Sequence, residues 1–459
     1  MRAIRPVAYS ANIPMQTPSL KLNLGRRGGA DIVGLDIQPG HVAAVQARVN
    51  GSIIVKHAVG ASLPADIVRE GEVLDEGVLS ETLRELFKDG GLSRRVRLGV
   101  ANQRTVLRTL ELPPVTDRKE LDAAVRFQAQ DQVPMPLSNA VLDFHSLGIH
   151  DTPEGPRQQV VLVAAQRDMI QRLLAAVRDA GLRPEGIDLS AFALIRSLYR
   201  PDPEHAGRVL YLNVDGLTNM AIAEGTICRF TRVVGGGIEA MASALAERRS
   251  IPLVEARALI ASVDLTVPVP ELAAQVAVAE AESELESAEP ESVVDPEAPT
   301  VSVDRVAPEG EAPESEQDQD ARERAMSYSE MASVAPTPAA SASASASEPE
   351  PTPEAPSKVT PAAADADVRM VLESGIREIA GEVRNSLDFH RSQEGGGDVS
   401  LVVLSGSALD LPGFADALQE QLGVQVQRES VRLDERELGG VSAHRLAVAA
   451  GLAAEEAPR

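Results

Sequence analysis

Apolar and polar positions along this chain follow two periods that trade places. Period-two or continuous apolar runs, the signature of strands, cover residues 32–37, 42–49, 53–57, 97–101, 105–111, 160–165, 209–215, 220–224, 226–234, 399–404 and 424–428. Helical spacing places Ile170, Leu173, Leu174 and Val177 on one face, ended by Gly181, and Leu372, Ile376, Ile379, Val383 and Leu387 on another. A shorter, more polar helix begins with Leu121 and Val125 and stops before Pro134-Met135-Pro136. Strands that alternate with helices predict an α/β class. Two stretches repeat one motif: an apolar run ending in Asp36, a turn, and further apolar runs, and then the same order again around Asp215. This duplication predicts two similar halves whose hairpins place two carboxylates and two sets of turn amides on facing walls of a cleft. Such a cleft suits a metal-bound nucleotide phosphate.

Composition sharpens the picture. The 459 residues suffice for several compact domains, and with 44% hydrophobic but only 2% aromatic residues and no Trp, the core must be aliphatic. No aromatic platform for nucleic-acid bases is visible, so nucleic acid is not an expected partner. A single cysteine, Cys228, excludes an internal disulfide and reads as a small apolar filler in a strand, and the seven histidines lack ligand spacing. Residues 1–30 read as a polar, disordered leader, and no segment approaches a membrane span, which predicts a cytoplasmic product. Residues 271–366 hold 22 acidic against 4 basic residues, so they carry most of the formal net charge of −24. Rich in Pro, Ala and Ser, this segment is expected to be a disordered acidic linker.

Three glycine turns are candidate nucleotide contacts. Gln38-Pro39-Gly40-His41 has Pro and Gly where a type II turn needs them, beside Asp36. Asp215-Gly216-Leu217-Thr218 adds a threonine oxygen near its carboxylate. Leu404-Ser405-Gly406-Ser407 sits between a strand and the helix of residues 414–422, an arrangement that can seat an adenosine or phosphate group.

Longer motifs carry a resemblance. Gly34-Leu35-Asp36-Ile37, residues 126–136 (RFQAQDQVPMP), Val141-Leu142-Asp143-Phe144, residues 232–237 (RVVGGG), residues 381–393 (GEVRNSLDFHRSQ) and Leu404-Ser405-Gly406-Ser407-Ala408 together resemble the PilM family of type IV pilus assembly proteins, which is similar to FtsA and actin. The resemblance implies an actin-like, ribonuclease-H-like fold of two halves. The first half would take residues 31–94 and 186–206, an inserted FtsA-type subdomain 95–185, and the second half 207–270 and 367–455. It implies ATP and magnesium in the interhalf cleft, with Asp36 and Asp215 toward the metal, Gly40, Gly216 and Thr218 toward phosphate, Gly236 nearby, Glu382 toward the ribose, and Gly406 and Ser407 toward adenosine.

The resemblance further implies an adaptor that binds the short cytoplasmic tail of a PilN-like inner-membrane protein, in a groove between the first-half core and the insert near residues 97–111. That tail would link the chain to the pilus motor and platform and bring it to the membrane only indirectly. This sequence departs from the family pattern at the turns: Gln38 and Pro39 precede Gly40, His41 stands where Lys or Ser is usual, Asp215 meets Gly216 directly, and Gly406-Ser407 replaces paired glycines. No general base is named, so at most weak ATP hydrolysis is expected. Three alternatives compete, one of them a secretion-platform relative with the same cytoplasmic fold, which would require a transmembrane helix that no segment supplies. An FtsA-like division protein predicts a basic amphipathic C-terminal helix, whereas residues 445–459 are Ala-rich with Glu455 and Glu456; an actin-superfamily small-molecule kinase predicts a catalytic Asp and substrate pocket.

Overall fold

The computed structural model describes residues 32–49, 52–201, 207–267, 361–393, 396–434 and 440–454. Its first sheet starts with an antiparallel meander, β1 (Val33–Gln38), β2 (His41–Val49) and β3 (Ile53–Ser62). A small hairpin, β4 (Val68–Arg69) and β5 (Glu72–Val73), and helix α1 (Glu76–Asp89) lead to β6 (Arg95–Val100), which returns parallel to β1. An excursion follows through β7 (Val106–Leu112), α2 (Arg118–Gln132), β8 (Ala140–Thr152) and β9 (Gly155–Gln166). The chain re-enters the first sheet through α3 (Arg167–Asp179) and β10 (Arg183–Leu189), parallel to β6, and then α4 (Ser190–Leu198).

The second sheet repeats this plan with β11 (Arg208–Val214), β12 (Thr218–Glu224) and β13 (Ile227–Val234) as the meander. Helices α5 (Ile238–Arg249), α6 (Leu253–Ala261) and α7 (Pro361–Ser392) precede β14 (Val399–Ser405), parallel to β11; α8 (Phe414–Leu422) precedes β15 (Val426–Arg428), parallel to β14. The orders β10-β6-β1-β2-β3 and β13-β12-β11-β14-β15 are one topology used twice. In each, two parallel strands reached through helices extend the free edge of the first meander strand. The duplicated α/β fold expected from the hydrophobic pattern is what forms.

The predicted helix stripes are the core-facing ones. Ile170, Leu173, Leu174 and Val177 are buried with the first sheet, and Leu372, Ile376, Ile379, Val383 and Leu387 with the second. Helix α7 already begins at Pro361, inside the stretch expected as linker; the remainder of 271–366 and the leader 1–30 lie outside the described residues. Cys228 is the buried strand filler expected, with its thiol pushed up to about 12 by burial.

Two expected boundaries move. The insert, expected at 95–185, is narrower: β7, β9 and β8 form their own sheet with α2, around Val106, Leu110, Leu121, Val125, Val160 and Leu162. Strand β6 pairs Val96 and Leu98 with Val33 and Leu35, and α3 and β10 cover or extend that same sheet, so they belong to the first half. The second half, expected to reach residue 455, ends earlier. Strand β16 (Arg432–Leu433) joins the edge of β3, and α9 (Ala447–Ala453) packs into the first-half core.

This returning helix is held by close backbone approach and buried charge. A methyl on Gly34 would lie 1.9 Å from the Ala449 carbonyl oxygen, and one on Gly451 1.9 Å from that of Ala193. Arg97 donates to the Leu452 and Ala454 carbonyls at 2.9 and 2.8 Å, and Arg196 to that of Gly451 at 2.6 Å and to Asp188 at 2.8 Å. These guanidiniums satisfy the carbonyls that a helix C-terminus leaves without intrahelical partners.

Candidate functional site

Asp36 lies two residues before the end of β1, paired with Ala43, and Asp215 directly follows the end of β11, and both are buried. Two buried carboxylates near each other resist ionising together. Burial, and then the charge of Asp215, push Asp36 up to about 7, against the pull of a hydrogen bond from the Gln38 amide. Gln38 Nε2 donates to Asp36 Oδ1 at 3.1 Å, which leaves Oε1 of the same amide buried and without a partner.

Asp215 is fixed from three sides. Its backbone N–H donates to the Leu217 carbonyl at 3.0 Å, closing the turn, and its carbonyl accepts the Ile238 N–H at the start of α5 at 2.8 Å. Its Oδ1 accepts the Ser407 hydroxyl at 2.7 Å and lies 3.5 Å from His41 Nδ1, which reaches across from the first half. Thr218 follows on β12, fully buried, with no partner for its hydroxyl.

The glycines are positioned by close approach. Gly40 has φ +85°, as the second central residue of a type II turn requires, and it packs against the carboxylate of Glu239, which is ion-paired with Arg257. Arg257 also donates to the Leu63 carbonyl at 3.2 Å, so α5 and α6 of the second half touch the first-half hairpin. A methyl on Gly216 would lie 2.2 Å from the Pro39 carbonyl oxygen: the two hairpin turns meet. Gly406, at φ +102°, sits against the end of β11, where a methyl would lie 2.3 Å from the Val214 carbonyl oxygen. Its N–H and the Ser405 hydroxyl both donate to the His444 carbonyl at 3.0 Å.

Gly236 and Gly237 open a groove of about 450 Å³ between α5 and α7, lined also by Met241, Ser374, Arg377 and Glu378. Glu382, one turn further along α7, is instead ion-paired with Arg232 at 2.7 Å. The structure thus gathers Asp36, Gly40, Asp215, Gly216, Thr218, Gly406 and Ser407 around the meeting hairpins. It sets Gly236 beside them and Glu382 apart, in a pair of its own. Gln38 and His41 were expected only as members of the candidate turn and not as site residues in their own right, and Glu239, Arg257 and Glu378 were not among the expected contacts. The first two were also marked as departures from the family turn, and the others sit on helices whose facing partners a sequence does not display.

The oxygen-rich donor set fits a hard cation and the unpartnered polar atoms fit a ligand, but among the described residues no cluster of three or more His, Cys, Asp or Glu would hold a metal unaided. Magnesium would need phosphate oxygens to complete its shell.

Residues 34–209 match the family model described as Type IV pilus assembly protein PilM, a span that includes the whole insert. The chain is similar to a solved structure described as the PilM-PilN type IV pilus biogenesis complex. That match has 19% identity over 92% of this chain and 98% of the other, with a TM-score of 0.60. Weaker likenesses extend to the ethanolamine utilization protein EutJ from Carboxydothermus hydrogenoformans (12% identity, 93% and 90% coverage, TM-score 0.41). Another is MreB5 of Spiroplasma citri bound to AMPPNP (9% identity, 92% and 94% coverage, TM-score 0.39). Over residues 34–209 this chain therefore matches the sequence pattern described as Type IV pilus assembly protein PilM, and it shares the fold of the PilM-PilN structure.

Proposed function

We propose that this chain is an adaptor of type IV pilus assembly that binds the cytoplasmic tail of a PilN-like inner-membrane protein and holds ATP with magnesium between its halves. The observation that carries the adaptor reading is the span of the PilM match, which takes in the first half from Gly34 and the complete insert. Among the described residues no helix is long and apolar enough to cross a membrane, so contact with the inner membrane would come through the partner. Motor and platform proteins of the pilus would then be reached in the same assembly.

The tail was expected near residues 97–111, but Arg97 is buried under the last carbonyls of the chain's C-terminal helix and offers no docking surface. The usable part is β7, which lies at the edge of the insert sheet with Arg108, Thr109 and Glu111 exposed. An extended peptide adding to this edge would gain main-chain hydrogen bonds, at modest affinity because it orders on binding. The test is fluorescence anisotropy of a labelled N-terminal tail peptide from a PilN-like membrane protein, titrated with the full chain and with a variant lacking residues 105–166. Saturable binding confined to the full chain supports the reading, and absence of saturable binding ends it.

At the cleft, the carboxylates of Asp36 and Asp215, with Gln38 Oε1 and the Thr218 hydroxyl, would face hydrated magnesium. Gly40, Gly216, Gly406 and Ser407 would border the nucleotide, and the groove beside Gly236 would take its nucleoside end. Bound magnesium supplies the positive charge that lets polyphosphate approach two carboxylates.

A further inference from the structure

Resting on this nucleotide reading, we propose that His41 contacts the terminal phosphate and makes the cleft prefer a nucleoside triphosphate to a diphosphate. The hairpin Gln38-Pro39-Gly40-His41 is poor in donors. Pro39 has no N–H and Gln38 pairs with His41 across the turn, so the Gly40 amide is the one backbone donor at its tip. Both walls carry a buried carboxylate, which repels an anion. The nearby cation Arg257 is engaged by Glu239 and by the Leu63 carbonyl. A phosphate reaching this turn therefore needs a side-chain donor.

His41 is placed to be that donor. Its Nδ1 lies 3.5 Å from Asp215 Oδ1 and its Nε2, on the opposite edge, is buried without a partner, so an imidazolium with a proton on each nitrogen would face the carboxylate with one and donate to phosphate with the other. Gln38 Oε1 and Thr218 Oγ1 are left equally unpartnered, in side chains 2% and 1% exposed. Three unsatisfied polar atoms thus gather around one pair of turns, where a bound ligand would give each of them a partner.

The order of elements points to the last phosphate. Gly237, at the mouth of the α5–α7 groove, packs on the Asp215 and Gly216 carbonyls, where a methyl would come within 2.5 and 2.8 Å. His41 lies beyond that turn, on the first-half wall. A nucleotide with its nucleoside end in the groove passes Gly237, then the Asp215 turn, and reaches His41 last.

The test is calorimetry on the full chain with ATP-Mg and ADP-Mg, for the natural protein, His41→Ala and His41→Gln, with a thermal melt of each variant. Loss of one hydrogen bond to a charged group is worth roughly tenfold in affinity. The natural protein should bind ATP at least that much more tightly than ADP. His41→Ala should bring ATP down to the ADP level and leave ADP within about twofold, and His41→Gln, which keeps a donor, should recover part of the preference. Equal affinities in the natural protein, or equal weakening of both ligands in a folded variant, would overturn this inference alone. Binding of neither nucleotide by the natural protein would overturn the nucleotide reading with it. Should His41→Ala not fold, His41→Gln against the natural protein decides by the same ATP-to-ADP ratio.

Discussion

The Ser407 hydroxyl donates a 2.7 Å hydrogen bond to Oδ1 of Asp215, and that same oxygen lies 3.5 Å from Nδ1 of His41. One carboxylate oxygen thereby ties the turn after β14 to the turn after β11 and reaches the first-half hairpin. The contact joins three loops far apart in the chain, and each ends a strand at the same end of a sheet. Where parallel strands end is where open α/β sheets bind ligands.

Ser407→Ala removes the short donor and leaves Asp215 buried with a weaker partner. Stability should fall by about 1–3 kcal/mol, measured by urea unfolding. The double variant Ser407→Ala, Asp215→Asn should cost less than the sum of the two single changes, because both remove one interaction.

Asp36 predicts a pH dependence. Its folded-state carboxyl titrates at about 7, against an ordinary value of 3.8, so between these pH values the folded chain holds a proton that the unfolded chain releases. Stability should therefore fall as pH rises from about 4 to 7 and stay low above, in protein freed of divalent cations with EDTA. Asp36→Asn should flatten that slope and stabilise the cation-free protein at pH 8 by about 2–4 kcal/mol. A denaturation series across pH for both proteins checks it, and parallel curves would refute it.

Arg196 and Asp188 are both 1% exposed, and the same guanidinium caps the Gly451 carbonyl. Arg196→Met strands a buried carboxylate and a helix-end carbonyl, so a loss of about 3–5 kcal/mol is expected. Because α9 lies in the first-half core, amide exchange should accelerate in α4, β1 and α9 together rather than in the C-terminal helix alone.

The narrowed insert makes a deletion prediction. Replacing residues 105–166 with a short Gly/Ser linker should preserve a cooperative melt, since the ends are brought near each other by Arg104 donating to Gln166 at 3.0 Å. Removing 95–185 should abolish it, because β6, α3 and β10 go with it. Circular dichroism melts of the two variants distinguish them.

The sequence alone determined the repeated meander, the apolar stripes of α3 and α7, and the turn chemistry of Pro39-Gly40, because periodicity and glycine conformation are local properties. It did not show β8, whose residues are almost all half-exposed and interrupted by Gly148, nor β10, whose Pro184 and Gly186 flank a register shift. Tertiary structure alone decided where the chain's end goes. A small-residue helix such as α9 has no strong amphipathic signal, and its place depends on Gly34 and Gly451 letting two backbones touch and on Arg97 and Arg196 receiving its carbonyls. The same holds at the cleft. Asp36 and Asp215 stood out in the sequence because each closes an apolar run, and Ser407 and His41 because they sit in candidate turns, whereas their meeting at one carboxylate oxygen came only with folding. Proximity across 192 residues is a property of packing, and no local pattern encodes it.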